Sequence, residues 1–230
     1  MPTIIDEEFG TITIRRSSRA SHIRIRVAPN GKLRASLPLY APLFLVKRLI
    51  KNSRDELRSL LNTHTDSDFT DGMAIGKSHT LFIRHRPVSK ISVSRHGQQI
   101  VATLPEEESS DTASAIRSIR EAVIEALRIE AKSHLPKRLA YLAEKYGFTY
   151  TKVRFSHAGS RWGSCSSNGT ISLNIALMKL PFELIDYVLV HELSHTVHMN
   201  HSKAFWGLVS QADANFEQHR RELKKASPSI

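Results

Sequence analysis

Val188-Leu-Val-His191-Glu192-Leu-Ser-His195-Thr-Val-His198-Met-Asn-His201-Ser-Lys-Ala-Phe-Trp206 is the stretch on which the reading of this chain turns. Leu184, Val188, His191, His195 and His198 step by 4, 3, 4 and 3, so they share one face of a helix expected from about Phe182 to Met199. Pro181 stands where the first helical residue is expected. Within this helix lies H-E-x-x-H. Two imidazoles four residues apart point the same way, and Glu192 sits one step round from the first. That spacing presents two nitrogens to one metal ion and keeps a carboxylate beside the water the metal would activate.

A catalytic zinc site needs a third protein ligand and an open position. His198 shares the stripe, but at 1.5 Å per residue it lies about 10 Å along the axis from His191. One metal with bonds of about 2.1 Å hardly serves both. His201 is better placed. Asn200 is expected to take the left-handed conformation that ends a helix. Ser202 is expected to cap a new helix running from Lys203 to about Lys224, leaving His201 at the turn between them. Asp213 and Glu217 on that second helix would have to reach back over several turns.

Upstream, Phe9 to Ser17 and His22 to Val27 alternate apolar and polar residues and read as half-buried strands. Asn30-Gly31 signals a tight hairpin, returned by Lys32 to Leu37. A helix is expected over about Leu43 to Leu61, then a polar loop from Asn62 to Asp71. Thr80–His85, Lys90–Ser94 and Gln99–Leu104 read as three further strands, the last two joined across His96-Gly97-Gln98. The acidic, Ser-rich stretch 105–111 is the expected boundary, with Asp111 or Thr112 capping a long helix from Ala113 to about Lys145 that contains Pro136. Gly147 is its expected C′ residue. Tyr150–Phe155 and Thr170–Asn174 read as strands and the 158–169 stretch as turn-rich, which together make a small hairpin or meander immediately before the H-E-x-x-H helix. No internal sequence repeat is evident. The expected class is α+β: a zincin-like catalytic domain at 112–230, with an H-E-x-x-H helix and a small antiparallel sheet, preceded by an N-terminal β-rich α+β region at 1–105.

The 230 residues suffice for one large domain or two small ones, and no apolar run approaches membrane-spanning length. The acidic start Met1-Pro-Thr-Ile-Ile-Asp-Glu-Glu has no leader character. A single cysteine, Cys165, excludes an internal disulfide and fits a reducing, cytoplasmic setting. The net charge of +11 is spread along the chain rather than blocked, so a generic basic surface and a polyanion-binding face both stay open.

Four segments together carry a resemblance: Arg161-Trp-Gly-Ser-Cys-Ser166; Gly169-x-Ile-x-Leu-Asn174; Pro181-x-x-Leu-Ile-Asp-Tyr187-Val-x-Val-His-Glu-Leu-x-His195; and Asn200-His-Ser-x-x-Phe-Trp206. With the Arg-rich N-terminal strand pair leading to Leu-Pro, they resemble the YgjP-like zinc metallopeptidases, relatives of the SprT-like and WLM peptidases. The resemblance implies a zinc ion held by His191, His195 and His201, with Glu192 as general base in peptide hydrolysis. It also implies that the 161–166 stretch lies near the site. Arg161 then reads either as a substrate or oxyanion partner or as part of a turn with Trp162 packed beneath the metal helix. Cys165 and Tyr187 are expected to be structural, and Phe205 and Trp206 to pack the last helix on the metal helix. The Pro-bearing segment usual after Trp206 is missing here.

The leading expectation is therefore a zinc-dependent metallopeptidase acting on protein or peptide, with no membrane partner. The alternatives are a metal-dependent hydrolase of nucleotides or other phosphate esters, a nucleic-acid-binding module using the basic surface, and a DNA-associated protease.

Overall fold

A computed structural model describes residues 2–18, 20–28, 33–65 and 69–230, with side chains for all of these except 59, 60 and 62–65. The Asn30-Gly31 turn lies outside the described residues. By contacts the chain divides into two compact units. One comprises residues 1–69 and 107–120, the other 70–106 and 121–230. The second strand set thus clusters with the C-terminal segment rather than with the first strand set.

The first unit holds β1 (Thr3–Asp6), β2 (Gly10–Arg16), β3 (Arg24–Val27) and β4 (Leu33–Leu37) in the order β1-β2-β4-β3. β2 and β4 run parallel; the two outer pairs are antiparallel. Ile12, Ile14, Leu33, Ala35 and Leu37 point inward and pack with Val46, Ile50 and Leu57. The last three come from α1 (Leu43–Asn52) and α2 (Arg54–Thr65). The single helix expected over 43–61 is thus two, interrupted at Ser53. Asn52 and Ser53 are weak helix formers whose side chains compete for backbone hydrogen bonds. The expected loop from Asn62 begins later, because α2 continues to Thr65.

The second unit opens with β5 (Ala74–Ile75), β6 (His79–Arg86), β7 (Ser92–His96) and β8 (Gln99–Pro105). Their order β5-β6-β8-β7 and the sense of each pairing repeat the first sheet. The sequence shows no repeat, yet the topology is duplicated. Glu130 ties this sheet to α3 (Ala113–Tyr146). Its buried carboxylate accepts from the backbone N–H groups of Lys77, Ser78 and His79 at 2.6, 2.9 and 3.2 Å, from Ser78 Oγ at 2.7 Å and from His79 Nδ1 at 2.6 Å. α3 starts on a Thr112 cap, accommodates Pro136, and ends in a Schellman turn. There Phe148 N–H reaches Ala143 O at 2.8 Å across Gly147, whose φ is 73°.

A second sheet follows, of β9 (Lys152–Ser156), β10 (Gly163–Cys165) and β11 (Thr170–Asn174), in the order β10-β11-β9. The β10–β11 hairpin is antiparallel, as expected of the small sheet, but β9 pairs parallel to β11, so the sheet is mixed. The parallel pairing arises because the chain crosses from β9 through the 158–162 loop before forming the hairpin. A 3₁₀ turn, Ile175–Lys179, leads into α4 (Phe182–Ser194), then α5 (Lys203–Ala212) and α6 (Phe216–Leu223). Pro181 is the N-cap of α4 rather than its first helical residue. The long final helix expected to run to about Lys224 is broken after Ala212, where Asp213-Ala-Asn215 contains two residues suited to turns. Among the described residues no helix is long and apolar enough to cross a membrane.

Candidate metal centre

α4 is apolar on nearly all sides, and Leu189, Val190 and Leu193 are buried with it. Arg138 of α3 clasps Asp186 with two parallel hydrogen bonds, at 2.8 and 2.5 Å. The helix is shorter than its periodicity suggests. It ends at Ser194, and His195 is the C-cap, still in αR geometry at φ −68° and ψ −18°. Thr196 Oγ1 and N–H both donate to Leu193 O, at 2.7 and 2.9 Å, drawing off a carbonyl that would continue the ladder, and Ser194 Oγ donates back to Val190 O at 2.8 Å. Asn200 is not left-handed; among the described residues only glycines have positive φ. The turn is instead closed by backbone bonds, including His198 N–H to Ser194 O at 3.0 Å. Ser202 Oγ accepts from Phe205 N–H and caps α5, leaving His201 immediately outside the new helix.

His191, His195 and His201 converge. One nitrogen from each lies within 4.8 Å of the others. Their ring centroids are 4.9, 5.1 and 4.7 Å apart in pairs, and Nε2 of His201 is 3.1 Å from Nε2 of His191. His195 Nδ1–H donates to His198 O at 3.0 Å, which leaves the Nε2 lone pair of His195 for the centre. His198 therefore serves this ring through its backbone carbonyl. Its own imidazole is not part of the cluster. Asp213 is occupied elsewhere, accepting from His219 Nδ1 at 2.7 Å.

Phe205, fully buried, forms the floor: its ring is 5.0, 4.5 and 4.8 Å from those of His191, His195 and His201. Trp206 stacks on His201 at 5.6 Å and on Phe216 of α6 at 5.6 Å, with the Arg220 guanidinium over its ring at 4.6 Å. Tyr187 is buried one turn before His191, and burial pushes its hydroxyl up to about 12.

Burial, with His195, His201 and Arg220 nearby, holds His191 down to about 3, and burial also lowers His195. Both are neutral near pH 7, the form in which imidazole binds a metal. Burial raises Glu192 to about 8, opposed by the charge of Arg161. Glu192 is 5% exposed, and its Oε2 has no hydrogen-bond partner among the described residues. A buried carboxyl oxygen left so calls for a further donor, which a water, an ion or a substrate would supply. Three imidazole nitrogens suit a borderline-soft divalent ion, and the residues present fit such a group.

The 161–166 stretch, read from sequence as a turn, contributes β10. Gly163 faces Glu192 so closely that a Cβ there would come 2.6 Å from Oε1. Burial and then the Glu192 charge raise the Cys165 thiol, whose Sγ lies 3.5 Å from Ser166 O, in keeping with a structural role. Asn174 is fully buried. It donates to Ala158 O at 2.6 Å and Arg161 O at 2.9 Å and accepts from Ala176 N–H at 3.0 Å, fixing the loop that carries the exposed Arg161. Asn174 N–H donates to Trp162 O at 2.9 Å and Ser166 N–H to Thr170 O at 3.0 Å. Antiparallel alternation then directs Ser164 toward β11 and turns the N–H and C=O groups of Gly163 and Cys165 to the outer edge, where β10 pairs with no strand.

The profile of the YgjP-like metallopeptidase domain matches residues 21–226. The chain belongs to the YgjP-like metallopeptidase family. As a YgjP-like metallopeptidase it is a metal-dependent peptidase of α+β, zincin-like fold. A solved structure, the metallopeptidase zymogen abylysin of Pyrococcus abyssi, is similar at 24% identity over 39% of this chain and 91% of its own, with a TM-score of 0.36. No curated protein matches the YgjP-like chain.

Proposed function

We propose that His191, His195 and His201 hold one zinc ion through Nε2 and that Glu192 is the general base in peptide-bond hydrolysis. The observation that carries this reading is the convergence of the three rings beside a buried, unpartnered carboxylate. When bound, zinc supplies Lewis acidity that makes water nucleophilic near neutral pH and polarises the scissile carbonyl. Glu192, held ionised by the charge of a bound metal, would take at Oε2 the proton of the attacking water and pass it to the leaving amine nitrogen. Phe205 and Trp206 keep the imidazoles oriented. The outward N–H and C=O groups of Gly163 and Cys165 hold the substrate backbone extended, as an added strand against β10. Gly163 leaves the space in which Glu192 sits. Arg161 pairs with a substrate carbonyl or carboxylate at the rim. The residues of the catalytic apparatus all lie within 112–230, and the unpaired Cys165 fits work in the cytoplasm.

The test is metal analysis together with peptide turnover. The purified chain should carry about one zinc. Glu192→Gln should retain it while turnover falls by about 10²–10⁴-fold. Wild-type turnover by Glu192→Gln removes Glu192 as the base.

A further inference from the structure

The solvent face of the first sheet carries arginines in register. Arg15 and Arg24 lie on either side of Ser36 in one row, and Arg26 pairs with Arg34 in the next. Neighbouring strands are about 4.8 Å apart and same-face residues along a strand about 6.7 Å, so four guanidinium groups share a small area. Ile12, Ile14, Ala35 and Leu37 occupy the opposite face, in the core. Arg16, adjacent in sequence, is used internally and donates to Leu39 O and Ala41 O. The four exposed arginines make no salt bridge to a carboxylate among the described residues, whereas Asp6, Glu8 and Asp55 of this unit are taken by Arg54 and Arg58.

A groove of about 350 Å³ opens on this face, lined by Arg15, Arg24, Arg26, His22, Ser21 and Ser36 among others. Its wall is organised. Arg24 Nε donates to His22 Nε2 at 2.6 Å, which places the His22 hydrogen on Nδ1, 2.9 Å from Ser21 Oγ. No carboxylate and no Phe, Tyr or Trp ring lines it; its one ring is the hydrogen-bonded imidazole of His22. A protein partner would be expected to meet aromatic or aliphatic anchors, which are absent. A surface of guanidinium and hydroxyl donors is the make-up of a phosphate-contacting interface, and such interfaces are more polar and more positive than protein–protein ones. Arg34, paired with Arg26 of the groove wall, extends the charge beyond the groove, as a chain of repeated phosphates requires and a single phosphate does not. We infer that this face binds the phosphate backbone of a nucleic acid, independently of the peptidase centre.

Fluorescence anisotropy of the full chain with a labelled DNA duplex of about 20 base pairs, over roughly 50–200 mM salt, tests it. Arg15→Gln/Arg24→Gln/Arg26→Gln should lower the slope of log affinity against log salt by about 2–3, and Arg24→Gln alone by about 1. The single variant keeps the test decisive if the triple variant misfolds. Lys47→Gln/Arg48→Gln/Lys51→Gln, an equal charge change on the exposed side of α1, should leave the slope close to wild type. Equal weakening by the α1 variant, absence of DNA binding, or competition by polyglutamate as effective as that of unlabelled duplex would each overturn the assignment.

Discussion

Gly163 and Glu192 meet without room for a methyl group between them: a Cβ on residue 163 would stand 2.6 Å from Oε1, 2.8 Å from Cγ and 2.9 Å from Cδ of the glutamate. Strand β10 and helix α4 thus set the carboxylate from two sides. Gly163→Ala should displace Glu192 while leaving the three imidazoles alone. Peptide turnover should fall by about 10²-fold, the scale of a 1 Å misplacement of a reacting group, with zinc content unchanged. Turnover within threefold of wild type would show that the carboxylate relocates without consequence.

His198 and His201 separate ring from backbone. His201→Ala removes a nitrogen from the cluster and should weaken zinc binding by more than the roughly 10–100-fold typical of losing an outer partner. His198→Ala keeps the carbonyl that accepts from His195 Nδ1 and should bind zinc close to wild type. Competition titration with a chromophoric chelator measures both, and equal losses would contradict the assignment.

Glu130 predicts an acid-labile second unit. Burial alone would raise its carboxyl, but the N–H of Lys77, the His79 ring and the Ser78 groups outweigh it and hold the group below its ordinary value. A depressed folded-state value means that the stabilisation is complete above the unfolded value of about 4.3 and is lost as pH falls through the folded one. Glu130→Ala leaves three backbone N–H donors without their acceptor and should cost about 3–5 kcal/mol at pH 7. In Glu130→Gln, urea midpoints measured from pH 7 to pH 3 should decline less steeply than in wild type. A parallel decline would exclude Glu130 as a source of the acid limb.

Asn174 supports Arg161 from below. Asn174→Ala breaks three hydrogen bonds inside the protein and should destabilise the fold by about 2–4 kcal/mol while raising KM for peptides. Arg161→Ala, at an exposed position, should raise KM with the melting temperature unchanged. Calorimetry and steady-state kinetics on the two variants distinguish loop support from substrate contact. If Arg161→Ala leaves KM unchanged, the residue belongs to the turn alone.

Local periodicity carried much of this molecule. A helical step of four sets His191 and His195 on one face, and their rings lie 4.9 Å apart in the fold. The 3.8 Å links from His195 to His201 are few enough that the short turn before the Ser202 cap brings the third ring back. Strand β11 and the start of α3 fall where alternation and capping put them, because those signals are written in neighbouring residues. What came only from the tertiary structure depends on partners distant in sequence. The parallel pairings β2–β4, β6–β8 and β9–β11 leave no mark on either strand alone. The 161–166 stretch, with Gly163, Ser164 and Ser166, has turn chemistry, and it becomes strand β10 only because β11 pairs with it. The repeated sheet order is held by hydrogen bonds between backbones, which any suitable side chains permit. His198 differs from His201 not in chemistry but in which of its atoms the closing turn presents, a choice made when α4 stops at Ser194 rather than running to Met199. Residue types and spacings determined the chemistry available to this chain; the packing of β10 and Phe205 around α4 decided the geometry in which it is held.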